Sequence, residues 1–192
     1  HGRVERADAS RTTEKTHSVR TGPINIDSAV QVFVQRDRAG QTVGQLSPPA
    51  SAATRVGSTN ISIRYNSPRR RGRVILGTTV PFDEVWRTGA DAATEVVVNR
   101  PVTIGGKKIA AGTYTLWTIP KPDGAILIIN GQNGQWGTNY DSSQDVARVP
   151  MQVKRGQPVE EDFTIALAGH GSSGSLRLAW GDFVWTVDVS AP

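Results

Sequence analysis

The stretch PFDEVWRTGADAATEV, residues 81–96, sets Trp86, Arg87 and Asp91 within six positions, beside Gly89. A tryptophan offers a broad apolar face, an arginine a planar fork of donors, and an aspartate a carboxylate that can receive the fork. Such groups could anchor a ligand. They could equally pin a loop in which the glycine takes an unusual backbone angle, and that is the commoner use of an Arg–Asp pair beside a core tryptophan. Trp117, Trp136 and Tyr140 widen the set. With Trp86 and Arg87 they are what a small-molecule or glycan site would use, aromatic faces against sugar rings and arginine on an anion.

Other patterns carry less chemistry. GHGSSG, residues 169–174, fits GxGxxG, but a strand pattern follows it where a phosphate-binding turn needs a helix, so it is expected to be a flexible loop. His1 and His17 lie in a polar arm and His170 in that loop, none is paired with another histidine at i, i+4, and no metal ligand is expected among them. A hydrolase would have to bring Asp91, Asp145 or His170 within hydrogen-bond reach of partners through the fold. Asp141 and Asp145 in NYDSSQD lack calcium-loop spacing. Glu160, Glu161 and Asp162 read as a solvated turn, and Asn60-Ile61-Ser62, a glycosylation acceptor by pattern, falls inside a strand. No catalytic residue, metal ligand or cofactor site is assigned.

Arg69, Arg70, Arg71 and Arg73 form a dense basic cluster. Single-stranded nucleic acid would require aromatic residues interleaved with these charges, and there are none, so a protein or lipid-headgroup contact is expected instead. Charge is uneven along the chain. Residues 1–73 carry 13 Lys/Arg against 5 Asp/Glu, and residues 74–192 carry 9 against 12. A basic N-terminal region on a slightly acidic body points to an anionic partner surface, with Arg3, Arg6, Arg11, Lys15 and Arg20 as candidate contacts alongside Arg69, Arg70 and Arg71.

The elements that must position these residues are strands. Glycine at 20 and proline at 11 of 192 residues suit short strands and tight turns. Cysteine is absent, which removes disulfides, thiolate sites and cysteine nucleophiles, and no apolar run is long enough to span a bilayer. Residues 1–23 show no apolar period and could not offset their own ordering entropy. Val30, Val32 and Val34 alternate with polar and aromatic neighbours, which predicts a strand, while Asp27 or Ser28 could instead cap a short helix. SPPASA, residues 47–52, reads as a spacer near the boundary between a 1–45 arm and a 46–192 domain. Beyond it, STNISIRY, TEVVVNRPVTI, KKIAAGTYTLWTIP, AILIIN, DFTIALA, SLRLAW and FVWTVDV all read as strands. Gly105-Gly106 predicts a two-residue hairpin and Gly181-Asp182 a tight turn, and a short helix is expected at 82–88. The fold class is therefore all-β: an antiparallel sandwich or partly closed, jelly-roll-like barrel with one short helix and an extended N-terminal arm.

From about Leu46 onward the chain resembles the bacterial family labelled domain of unknown function 2911. The resemblance rests on YNSPRRRGR, VPFDEVWRTGADAAT, IAAGTYTLWTIP, QWGTNYDSSQDVARV and SLRLAWGDFVWTVDV, while residues 1–45 have no counterpart. It implies an exported, all-β protein, placed in the periplasm or otherwise outside the cytoplasm, and no established activity. The family's recurring polar residues fall on Arg73, Trp86, Arg87, Thr88, Thr94, Tyr114, Trp136, Tyr140, Asp145 and Arg148, and on Asp91, where relatives usually carry Asn. The expected function is that of a non-catalytic accessory subunit docking on a larger, membrane-associated protein complex. A small-molecule or glycan binder is the alternative, and a hydrolase the second.

Overall fold

The computed structural model describes residues 6–9, 16–19, 22, 25–38 and 46–192. The chain divides into two compact units, His1–Leu46 and Ser47–Pro192. In the first, β1 (Arg6–Ala9) pairs antiparallel with β2 (Thr16–Val19), and α1 spans Ile26–Arg38. The alternating valines thus lie on a helix, not on the expected strand. Five residues of period-two pattern are too few to exclude a helical period, and the cap decides between them. Asn25 Oδ1 accepts the Ser28 N–H at 3.0 Å, Ala29 N–H bonds Asn25 O at 3.1 Å, and Asp27 places an acid in the first turn.

The second unit is one antiparallel sheet in the order β3 (Pro49–Val56), β4 (Thr59–Asn66), β5 (Thr94–Val98), β8 (Gly112–Lys121), β9 (Gly124–Asn130), β10 (Asp145–His170), β11 (Ser173–Ser190), β6 (Val102–Ile104), β7 (Lys107–Ile109). Alternation explains it. Thr59, Ile61, Ile63 and Tyr65 of β4 are buried, while Asn60, Ser62 and Arg64 between them are exposed. The 26-residue β10 pairs with β9 over its first third and with β11 beyond. The chain after β4 then returns to β10: Ser67 Oγ donates to Phe163 O at 2.7 Å, Phe163 N–H to Pro68 O at 2.9 Å, and Arg70 N–H to Glu161 O at 2.7 Å. These bonds curl the sheet into a partly closed barrel around Ile63, Leu127, Ile129, Phe163, Leu178 and Trp185. Each such side chain contributes about 1.5–3 kcal/mol on full burial. Polar atoms carried inside are bonded: Tyr65 Oη accepts the Ile165 N–H at 3.0 Å, and Trp185 Nε1 donates to Gly124 O at 3.0 Å.

Gly105 and Gly106 make the expected hairpin, with φ of 52° and 80°. Four local expectations are corrected. Residues 82–88 are turns, not a helix, because Asp83 and Thr88 take φ of 62° and 53°, and Trp86 bridges to Thr118 through two 2.8 Å bonds. Gly181 lies inside β11 at a register shift, not at a turn. Glu160–Asp162 lie within β10, where Arg177 holds Glu160 at 3.3 Å and Arg69 holds Asp162 at 3.1 Å. Pro49–Ala52 begin an edge strand, a position at which a proline's missing N–H costs no ladder bond. Among the described residues no helix is long and apolar enough to cross a membrane.

Candidate functional site

Two loops carry five of the eight candidate ligand-binding residues, and β8 and β10 carry Trp117, Asp145 and Arg148 beside them. In the first, Trp86 turns inward. Its ring stacks on Trp180 with centroids 5.7 Å apart and planes at 18°, meets the edge of Phe163 at 4.9 Å, and donates Nε1 to Gly89 O at 3.1 Å. The expected side-chain pair between Arg87 and Asp91 does not form. Arg87 Nη1 reaches only the Asp91 backbone oxygen, at 3.4 Å, and Asp91 Oδ2 accepts from Asn66 Nδ2 at 3.1 Å. The left-handed backbone of Thr88 and Asp91, φ 53° and 58°, swings that carboxylate toward the end of β4. A β-branched residue in that region costs about 1–3 kcal/mol. Thr88 is offset by fixed partners: its Oγ1 lies 2.8 Å from Thr118 Oγ1, and its carbonyl accepts from Thr94 Oγ1 at 2.7 Å.

The second loop, residues 131–144, lies over the face of β8 and β9 opposite the core, because Thr115 and Trp117 alternate with the core-facing Leu116 and Thr118. Trp117 is 2% exposed, donates Nε1 to Thr115 Oγ1 at 3.0 Å, and lies 5.0 Å from the Tyr140 ring. One carboxylate gathers the rest. Asp145 Oδ2 accepts from Tyr140 Oη and from Arg148 Nε, both at 2.8 Å, and Oδ1 accepts from Asn130 Nδ2 at 2.9 Å. Arg148 Nη2 closes the ring on Tyr140 Oη at 3.0 Å. Burial raises the Tyr140 pKa above its ordinary value, and the hydrogen bond to Asp145 and that residue's charge push it the same way, so the phenol is a donor and not a base. Asp141 is shifted the other way. Its carboxylate accepts the Ser143 hydroxyl and N–H while capping the 3-10 turn Ser142–Gln144, which lowers its pKa.

The loops are joined. Ala93 N–H donates to Gln135 O at 3.2 Å, Gly137 N–H to Asp91 O at 2.9 Å, and Ala92 bridges Trp136. A Cβ on Gly137 would overlap Arg87 Cδ and Asp91 O, so the joint needs glycine. Trp136 remains 54% exposed there. A shallow groove of about 580 Å³ is lined by Asn66, Ala92, Ala93 and Gln135 from this joint and by the Arg64–Glu95 pair, 3.2 Å apart. Gln135 donates Nε2 to Thr115 Oγ1 at 3.1 Å, while its inaccessible Oε1 has no hydrogen-bond partner.

The fold thus collects Trp117, Tyr140, Asp145 and Arg148 into one network and places Trp86, Arg87 and Asp91 on the adjoining loop, with Trp136 between them. The basic cluster is a separate turn held on β10. Arg69 Nε lies 3.1 Å from Asp162 Oδ1 without the alignment of a hydrogen bond, Arg70 Nε donates to Arg73 O at 2.9 Å, Arg73 Nη2 donates to Arg69 O at 2.7 Å, and Arg71 N–H meets Glu161 Oε1 at 2.6 Å. Arg6 is exposed on β1; Arg3, Arg11, Lys15 and Arg20 lie outside the described residues. His170 sits at the exposed β10–β11 hairpin opposite Ser173. Among the described residues no cluster of three or more histidines and carboxylates could hold a metal. Asn130, Thr115 and Gln135 are structurally central and were not singled out in the sequence. Their only signal was an Asn closing the apolar run AILIIN and a Thr inside a strand.

Residues 47–189 match the family model described as Protein of unknown function (DUF2911). No curated protein and no solved structure matches the chain.

Proposed function

We propose, for a chain that belongs to the DUF2911 family, a function by contact: an extracytoplasmic accessory subunit that docks on a larger protein assembly and carries out no reaction of its own. Helix α1 is the observation that carries this reading. Ile26, Val30 and Phe33 lie at i, i+4 and i+7 and are 73%, 50% and 62% exposed. That spacing is the anchor pattern by which an amphipathic helix enters an apolar groove of a partner protein. The excess of 13 Lys/Arg over 5 Asp/Glu in residues 1–73 adds attraction to an acidic partner surface. The extracytoplasmic placement, and an assembly associated with a membrane, extend what the family resemblance implies, an exported protein, and are part of the proposal. The test is native size in a mild-detergent extract of the protein's own cells, comparing the full chain, Phe33→Asp and a chain lacking residues 1–46. The full chain is expected to migrate with a large assembly and both variants alone. Migration of the full chain at its own mass overturns the reading.

A second reading, a small-molecule or glycan binder, is favoured by Trp136, which stands exposed where two pinned loops meet beside a groove. Replacing Trp136 by Ala would then weaken saccharide binding without unfolding the β unit, and an unchanged affinity removes that residue from the site.

A further inference from the structure

Away from the joined loops, the β10–β11 ladder is interrupted. Arg155 opposes Phe183, and the next pair is Glu160 with Gly181. Residues 156–159 of β10 therefore have only Asp182 across from them, the arrangement of an enlarged β-bulge, and Gly181 takes φ 60°. Bulges of this kind recur beside functional sites because they re-aim side chains and open space in a sheet.

A cleft of about 500 Å³ lies at this interruption. Trp180 and Phe183, 2% and 5% exposed, line its buried part; Val74 and Val159, 65% and 53% exposed, line its open part. Size and apolar lining are those of a small-molecule site. Its charges are few and unequal. Arg155 stands 4.3 Å over the Phe183 ring centroid with Nη2 3.2 Å from Asp182 Oδ2, and Arg70 also lines the cleft, its Nε on the Arg73 carbonyl. Two guanidinium groups thus meet one carboxylate, and the balance favours an anion. An apolar body suits Trp180, Phe183 and the exposed valines, which otherwise face water without return.

The geometry points to a binding site for a small amphipathic anion, with its hydrocarbon body against Phe183, Trp180 and Val159 and its carboxylate on Arg155 and Arg70. The docking function does not depend on this site.

The test is isothermal titration of the full chain with dodecanoate below its micellar concentration, with dodecyltrimethylammonium as the matched cation. Saturable binding at one site per chain is expected for dodecanoate and none for the cation. Arg155→Ala is expected to weaken binding about tenfold, the value of one charge-assisted hydrogen bond. Because Arg155 also touches Phe183 and Asp182, Val74→Asp serves as the second variant. It changes a well-exposed side chain, spares the core, and sets a like charge at the opening, so binding is again expected to fall at least about tenfold. Absence of saturable dodecanoate binding, equal binding of the cation, or undiminished affinity in Val74→Asp overturns the site.

Discussion

The loops that meet at Ala92 and Trp136 are held by different forces. Residues 81–93 are fixed from inside: Trp86 is clamped among Phe163 and Trp180, and the backbone pays for the clamp with left-handed conformations at Asp83, Thr88 and Asp91. Residues 131–144 are fixed from outside the core, by a hydrogen-bond network in which Asp145 receives Tyr140, Arg148 and Asn130. Apolar packing is insensitive to pH and resists salt, while a charged network on a partly exposed surface responds to both. One platform is thus rigid by two independent means, with glycine at the joint allowing them to touch.

Three substitutions separate the two kinds of support. Trp86→Ala is expected to act most strongly, removing about 3 kcal/mol of stability, because a half-buried tryptophan packed on the core loses only part of what a fully buried one would. The denaturant midpoint should fall equally at neutral and mildly alkaline pH, and a loss confined to one pH would tie Trp86 to the polar network instead. Gly137→Ala comes next, at about 1–3 kcal/mol, because the added methyl must displace Arg87 or the Asp91 carbonyl. Its signature is a changed environment for Trp136 in fluorescence, and an unaltered spectrum at full stability would show that the loops are not coupled there. Tyr140→Phe is the smallest, about 0.5–1.5 kcal/mol for one net hydrogen bond. Here the pH dependence has a definite sign. The folded-state pKa of Tyr140 is raised, so its contribution is fully present below the unfolded tyrosine value of about 10 and disappears as pH rises through the higher folded value. Parallel stability curves of wild type and Tyr140→Phe through that alkaline range would refute the assignment.

Much of the barrel was legible because its strands obey a two-residue period. Ile61, Ile63 and Tyr65 announce β4, and Gly105-Gly106 announces a turn that other residues adopt poorly. The motifs WRTGA and AGTYTLWTIP carry the family resemblance, and the family match over residues 47–189 agrees with it. Legibility failed where local pattern and long-range pairing disagree. The middle of β10 reads as polar turn because Glu160–Asp162 face arginines at Arg177 and Arg69, distant in sequence. Gly181 reads as a turn because a bulge and a turn demand the same backbone angle.

The candidate site divides in the same way. Residue types alone supplied the Trp, Tyr, Arg and Asp that cluster near the two loops, since aromatic and charged groups are conspicuous wherever they occur. Their partners were decided only by the folded chain. The Asp91 carboxylate goes to Asn66 and not to Arg87, four positions away, because two left-handed residues reverse its direction. Trp86 and Trp136, equal in the sequence, become a core clamp and an exposed face because one bridges Thr118 on β8 and the other tops the joint at Ala92. Alternation and turn chemistry are local and therefore written in the chain; the sign of a side chain's direction depends on the sheet that closes around it, and that is a property of the whole barrel.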